Sequence, residues 1–321
     1  MTPPRWKSHM QNNILDVKNL TKTFGEFTAV DNISFSIKEG EAVGFLGPNG
    51  SGKTTTIQML LGITNVTSGS ILYFGKDFFK HKQQCLQRIN FTSAFNTLQG
   101  RISVWENLIV FASLYSIKNP KEKIMNLVNY FNSESLLNQR YWNLSAGQKT
   151  RINFIKSLLN DPELILMDEP TASLDPDVVD KTLSLIEELK DKRNLAILYT
   201  SHNMNEITRI CNKVVFLDHG QIVAQDSPLS LTKRIGSARL QITFDGDKEK
   251  LENYLKEKEN TYSFIKKYIV VIDTQEKDIP GIIFGISKSD IWITDIEVKK
   301  PTLEDFFLQI ARGGTNVNSK N

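Results

Sequence analysis

From Asn13 to Phe24, apolar residues at Ile14, Val17 and Leu20 stand among polar ones, a pattern that predicts a half-buried strand. A second strand is expected over Ala29–Ile37; it leads through a Lys38-Glu39-Gly40 turn into the unbroken apolar run Ala42–Leu46. That run stops at Gly47, and after a cluster of glycines the helix-forming stretch TTTIQMLLG begins at Thr54. Residues from about 80 to 160 read as mostly helical, with patterns such as NLIVFASLYSI and KIMNLVNYF. Two short buried strands then follow, Leu164–Met167 and Leu195–Thr200, separated by a helix around Val178–Leu189. A last strand, Lys213–Leu217, and the turn DHGQIVA close this unit near residue 227. Strands alternating with helices imply a parallel sheet covered on its faces, an α/β fold.

From about 236 to 312 the pattern changes. ARLQITF, YIVVIDT and IWITDIEV read as strands, and KEKLENYLKEK and TLEDFFLQIA as helices, together a small C-terminal α+β domain. The polar ends, residues 1–12 and 313–321, are expected to be a disordered leader and tail. At 40% hydrophobic and 23% charged, the 321-residue chain has ample apolar content for such cores. Its 39 basic and 36 acidic residues are interspersed and leave a net charge of only +3, which argues against nucleic acid as a partner. Cys85 and Cys211 form no C-x-x-C pair and suit a reducing cytosol. No apolar run approaches the roughly 20 residues that span a bilayer, and the N-terminus lacks the apolar segment of a signal peptide. The chain is therefore expected to be soluble alone, with any membrane role exercised through a partner.

Gly47-Pro48-Asn49-Gly50-Ser51-Gly52-Lys53-Thr54 fits the phosphate-loop pattern G-x-x-x-x-G-K-S/T, between a strand and a helix as that loop requires. Glycines let backbone N–H groups turn inward around phosphate oxygens, and the following helix adds its N-terminal partial positive charge. Lys53 is suited to the β- and γ-phosphates of ATP and the Thr54 hydroxyl to Mg²⁺, with Thr55 next in the same helical turn. The apolar run Leu164–Met167 ends in Asp168 and Glu169, which a strand would deliver to the loop side of the sheet. There Asp168 would hold Mg²⁺, usually through water, and Glu169 would orient or deprotonate the attacking water. An apolar run ending in Asp-Glu is a weak signal alone; beside the phosphate loop it becomes a strong one.

The pentapeptide LSAGQ at residues 144–148 resembles the LSGGQ signature of the ATP-binding cassette (ABC) family, with Ala146 in place of the first glycine. In that family the segment starts a helix and caps the γ-phosphate held by a second subunit, a role that would fall to Ser145, Gly147 and Gln148. Ser173-Leu174-Asp175 resembles the D-loop, His202 the switch histidine that touches the γ-phosphate, and Phe24 the aromatic that stacks on adenine. The resemblance covers about residues 13–227. It implies a P-loop NTPase cassette with a parallel sheet core, an antiparallel β subdomain and a helical subdomain at about 90–160. It also implies ATP hydrolysis by Lys53, Glu169 and His202, and a second cassette, in a homodimer, to complete two sites. Counting back from SVWENL, the glutamine of the family's Q-loop falls on Ala94, which cannot ligate a metal.

Pro301-Thr302-Leu303-Glu304-Asp305-Phe306-Phe307 resembles the terminal P-S/T-L-E-D-x-F helix of drug-resistance and antibiotic-export ATPases. Those pair with a separate membrane permease, which implies a peripheral subunit on the cytoplasmic face of the membrane. Phe95, Trp105, Phe111 and Tyr115 lie where the family receives a short permease helix. The missing glutamine keeps a second reading open, a soluble ABC-type regulator coupled to no permease.

Overall fold

The computed structural model describes residues 13–93, 97–172, 174–235, 238–289 and 291–311. The chain divides into two compact units, Met1–Pro228 and Leu229–Asn321.

In the first unit, β1 (Asn13–Phe24) and β2 (Phe27–Lys38) form an antiparallel hairpin turning at Gly25. β3 (Ala42–Leu46) is buried at every position and runs through the glycine loop into α1 (Lys53–Leu60). β4 (Ser68–Tyr73) and β5 (Lys76–Asp77) complete an antiparallel sheet of order β2-β1-β4-β5. α2 (Lys82–Leu86) leads to β6 (Ile89–Ser93). This strand corrects the expectation of mostly helical structure from about 80 and of a helical subdomain opening near 90. Ile89–Ser93 pairs in parallel, residue for residue, with Leu164–Asp168, and that tertiary pairing decides its conformation.

The helical layer begins at α3 (Val104–Leu114) and continues through α4 (Pro120–Tyr130) and α5 (Ala146–Ser157). Two of these helices start in a capping box, Ser103 with Glu106 and Ser145 with Gln148. Each cap satisfies otherwise orphaned backbone donors and contributes about 1 kcal/mol. β7 (Leu164–Asp168), α6 (Pro176–Arg193), β8 (Ala196–Thr200), α7 (Met204–Ile210), β9 (Lys213–Asp218) and β10 (Gln221–Asp226) then finish the unit. Its main sheet has the order β10-β9-β3-β8-β7-β6, parallel except for the edge hairpin of β9 with β10. β3, β7 and β8 are buried on both faces save at Asp168, so apolar transfer of about 1.5–3 kcal/mol per large side chain holds the sheet centre.

α8 (Pro228–Lys233) crosses the division. Beyond it lie β11 (Ala238–Asp245), α9 (Lys248–Glu257), β12 (Thr261–Lys266), β13 (Ile269–Thr274), α10 (Ile279–Ser287), β14 (Trp292–Lys299) and α11 (Leu303–Ala311). The four strands form an antiparallel sheet of order β12-β13-β11-β14. Leu240 and Ile242 of β11, Val270 and Ile272 of β13, Leu251 and Leu255 of α9, and Ile282 and Ile286 of α10 form a separate core. β12 and α10 are elements the hydrophobic pattern left unassigned. β14 is an outer edge of the sheet, with Asp295, Glu297 and Lys299 exposed along it. Among the described residues no helix is long and apolar enough to cross a membrane.

Candidate nucleotide site

β3, β8 and β7 are neighbours in a parallel sheet, so their C-terminal ends share one edge. From that edge β3 feeds Gly47–Thr54, β7 ends in Asp168 and Glu169, and β8 ends at Thr200 ahead of His202. This is the crevice where ligands of open α/β sheets bind.

Gly47 adopts φ +151, and a Cβ there would run into the Leu217 carbonyl oxygen and the Ser51 hydroxyl. Gly52, the N-cap of α1, adopts φ +101, and a Cβ would lie 2.6 Å from the Ala29 carbonyl oxygen. Both positions are closed to other residues by conformation and by space. From behind, the β9–β10 turn holds the loop, with Gly220 N–H donating to the Ser51 carbonyl at 3.2 Å. The Lys53 Nζ folds back and donates to the Gly47 carbonyl at 2.6 Å and to the Pro48 carbonyl at 3.0 Å. Burial pulls the Lys53 pKa below its ordinary value, opposed by the nearby carboxylates of Glu169 and Asp168. The Ser51 hydroxyl is buried, 2% exposed, and has no hydrogen-bond partner among the described groups. An orphaned hydroxyl, an ammonium resting on carbonyls and a helix N-terminus fit a phosphate group. Asn49 and Thr54 are exposed, and Pro48 and Thr55 are half-buried.

Asp168 Oδ1 accepts a hydrogen bond from Thr200 Oγ1 at 2.6 Å. Glu169 stands at φ +49, a left-handed conformation, and its N–H donates to both the carbonyl and the hydroxyl of Thr200, each at 3.1 Å. Its Oε1 lies 2.8 Å from His202 Nε2. Beneath these loops, Glu206 accepts the hydroxyls of Thr171, Tyr199 and Ser201. Thr200, Ser201 and Glu206 were not singled out by sequence, where each is an ordinary polar residue.

Lys53, Asp168, Glu169 and His202 therefore come together. Phe24 stands apart at the tip of the β1–β2 hairpin, 51% exposed, with Lys22 Nζ 4.7 Å above its ring. Ser145 and Gln148 exchange the two bonds of their capping box at 2.9 and 3.3 Å. A Cβ on Gly147 would lie 2.9 Å from Val178 of α6. The described contacts of this segment do not reach the glycine loop of the same chain. Ala94, Phe95 and Ser173 lie outside the described residues. Trp105, Phe111 and Tyr115 are half-buried; of the three, Tyr115 lines a cleft of about 420 Å³ with Lys82, Gln83, Leu86, Gln87 and Leu114.

Residues 30–172 match the family described as ABC transporter. Over 317 residues the chain is 30% identical to the bacitracin transport ATP-binding protein of Bacillus licheniformis, covering 94% of this chain and 98% of that one. It is 34% identical over 224 residues to the Nod factor export ATP-binding protein I of Cupriavidus metallidurans, covering 68% and 72%. Among solved structures it resembles cbiO1 from Clostridium perfringens, part of the ABC transporter complex cbiONQ. The TM-score is 0.63 and the identity 27%, over 69% of this chain and 91% of the other.

Proposed function

The chain belongs to the ABC transporter family, and from that premise we propose that it is the ATPase subunit of an exporter, driving a separate membrane permease. ABC cassettes hydrolyse ATP, and this chain is an ATPase of that kind. One observation supports the site assignment above all: Lys53, Asp168, Glu169 and His202, which lie far apart in sequence, meet at one edge of the sheet. The glycine loop would cradle the phosphates of ATP with its N–H groups and the Ser51 hydroxyl. Lys53 would give up its two carbonyl partners to offer its charge to the β- and γ-phosphates.

Thr54 and Asp168 would hold Mg²⁺, which when bound neutralises charge on the phosphates. Glu169 would take the proton of the attacking water, and His202, whose Nε2 lies 2.8 Å from its carboxylate, would orient it. Phe24, exposed at its hairpin tip, would stack on the adenine.

Ser145, Gly147 and Gln148 would act on the nucleotide of a second copy, so that two chains build two sites and closure on ATP becomes the power stroke. The export reading is supported by the Pro301–Phe307 helix and by relatives whose names state transport of bacitracin and export of a Nod factor. The permease would dock at the cleft lined by Leu86, Leu114 and Tyr115, on the cytoplasmic face of the membrane. Glu169→Gln is the direct test. It should retain ATP binding, slow turnover by about 100-fold or more, and elute with ATP as a trapped dimer in size-exclusion chromatography. Hydrolysis at the native rate would remove Glu169 from the role of base.

A further inference from the structure

Glu169 and His202 meet as a partly exposed pair, with the His202 side chain 56% exposed. A pair so open to water contributes little to its own placement, so the loops that hold it must be fixed from below. Part of that fixing is Thr200, which binds Asp168 and the Glu169 N–H. The rest falls on a group the chemistry does not use.

Glu206 is 5% exposed, and its Oε2 accepts three hydroxyl hydrogen bonds: Thr171 Oγ1 at 2.8 Å, Tyr199 Oη at 2.9 Å and Ser201 Oγ at 2.8 Å. Thr171 is two residues beyond Glu169, and Ser201 immediately precedes His202. Ser201 Oγ also accepts from the Asn203 N–H at 3.0 Å, so the residues on both sides of His202 are tied to the same carboxylate. Among the described residues no Lys, Arg or His forms an ion pair with Glu206. A buried carboxylate without a cation is retained only where donors satisfy it, and here all three are hydroxyls from the loops or strand of the site.

We propose that Glu206 is a positioning residue for hydrolysis: it gathers the hydroxyls of Thr171, Tyr199 and Ser201 on one oxygen and so locks the Glu169 loop to the His202 loop. One oxygen accepts all three hydroxyls, so each donates towards it and Ser201 keeps a lone pair for the Asn203 N–H. A leucine of similar size removes that acceptor and leaves the three hydroxyls, and through Ser201 the Asn203 N–H, without their common anchor.

The test compares Glu206→Leu, His202→Ala and the double variant in the full chain with its transport partner, measuring ATP turnover and ATP KM. The inference rests on the assignment of Glu169 and His202 to hydrolysis. Glu206→Leu is expected to lower kcat about 10- to 100-fold while KM stays within about threefold. The double variant is expected to be no slower than the slower single one, because both changes spoil the same pair. Native turnover in Glu206→Leu, or losses that multiply in the double variant, would overturn the proposal. Native turnover in His202→Ala would instead overturn the assignment beneath it. Should Glu206→Leu fail to fold, Ser201→Ala and Thr171→Val each remove one donor and keep the carboxylate. Both are expected to lower kcat at constant KM, and native kcat in both would also overturn the proposal.

Discussion

Two backbone positions show how tightly single residues set this site. Glu169 holds a left-handed φ of +49 that costs a non-glycine residue about 1 kcal/mol, offset by its two bonds to Thr200. Gly47 has no such freedom to trade, since a Cβ there meets the Leu217 carbonyl. Gly47→Ala is therefore expected to cost about 2–4 kcal/mol of stability and to abolish tight ATP binding, as read by denaturant unfolding and nucleotide titration. Lys53 was legible in the sequence through the glycine-loop motif, Asp168 and Glu169 through the apolar run that a buried strand ends by delivering to one edge, and His202 through its resemblance to the switch histidine. Thr200 and Glu206 were not. Their importance arises from contacts between β7, β8 and α7, and no local pattern announces a hydroxyl that faces a carboxylate 32 residues away in sequence, as Thr200 faces Asp168.

At the scale of elements the instructive case is the junction of α5 with β6. Five residues, Ile89–Ser93, are too short to show a period, and the helices on either side made the whole stretch read as helical. Their pairing with β7 overrides that local reading. Lys156, from the α5 helix whose N-cap is Ser145, spans this junction and donates to the Asn90 side chain and the Phe91 carbonyl, each at 3.3 Å. Its ammonium lies 5.1 Å from the centre of the Phe111 ring. Asn90 in turn donates to Tyr115 Oη, at the C-terminal cap of α3, at 3.0 Å, which ties the end of that helix into the same polar cluster. Burial pushes the Lys156 pKa down to about 8 from an ordinary 10.5. Between those values the unfolded chain binds more protons than the folded one, so this group's contribution to stability rises with pH across that window. Relative to Lys156→Met, the native chain is expected to gain up to ~2–3 kcal/mol between about pH 8 and pH 10.5. Denaturant unfolding of both proteins at the two ends of the window measures the difference; a parallel response in the variant would exclude Lys156 as its source.

At the scale of the molecule, each unit has its own apolar interior, the first around β3, β7 and β8 and the second around β11 and β13. The alternation of strands and helices made the parallel sheet of the first unit legible. In the second unit the strands of mixed burial and the helix α10, interrupted by Gly281 and Gly285, blurred the pattern. A chain ending at Pro228 contains every residue assigned to nucleotide and metal. It is expected to fold and to bind ATP within about threefold of the whole protein, measured by nucleotide titration after purification. A large loss of affinity would mean that the second unit supports the first.

The exposed edge of β14 bears on a different matter, what prevents copies of this protein from sticking to one another when they crowd together. An open strand edge invites the addition of another strand, and Ile296 and Val298, 42% and 40% exposed, would welcome it. A parallel, in-register pairing of two copies at this edge would set Asp295 against Asp295, Glu297 against Glu297 and Lys299 against Lys299, so in that register the strand repels its own image.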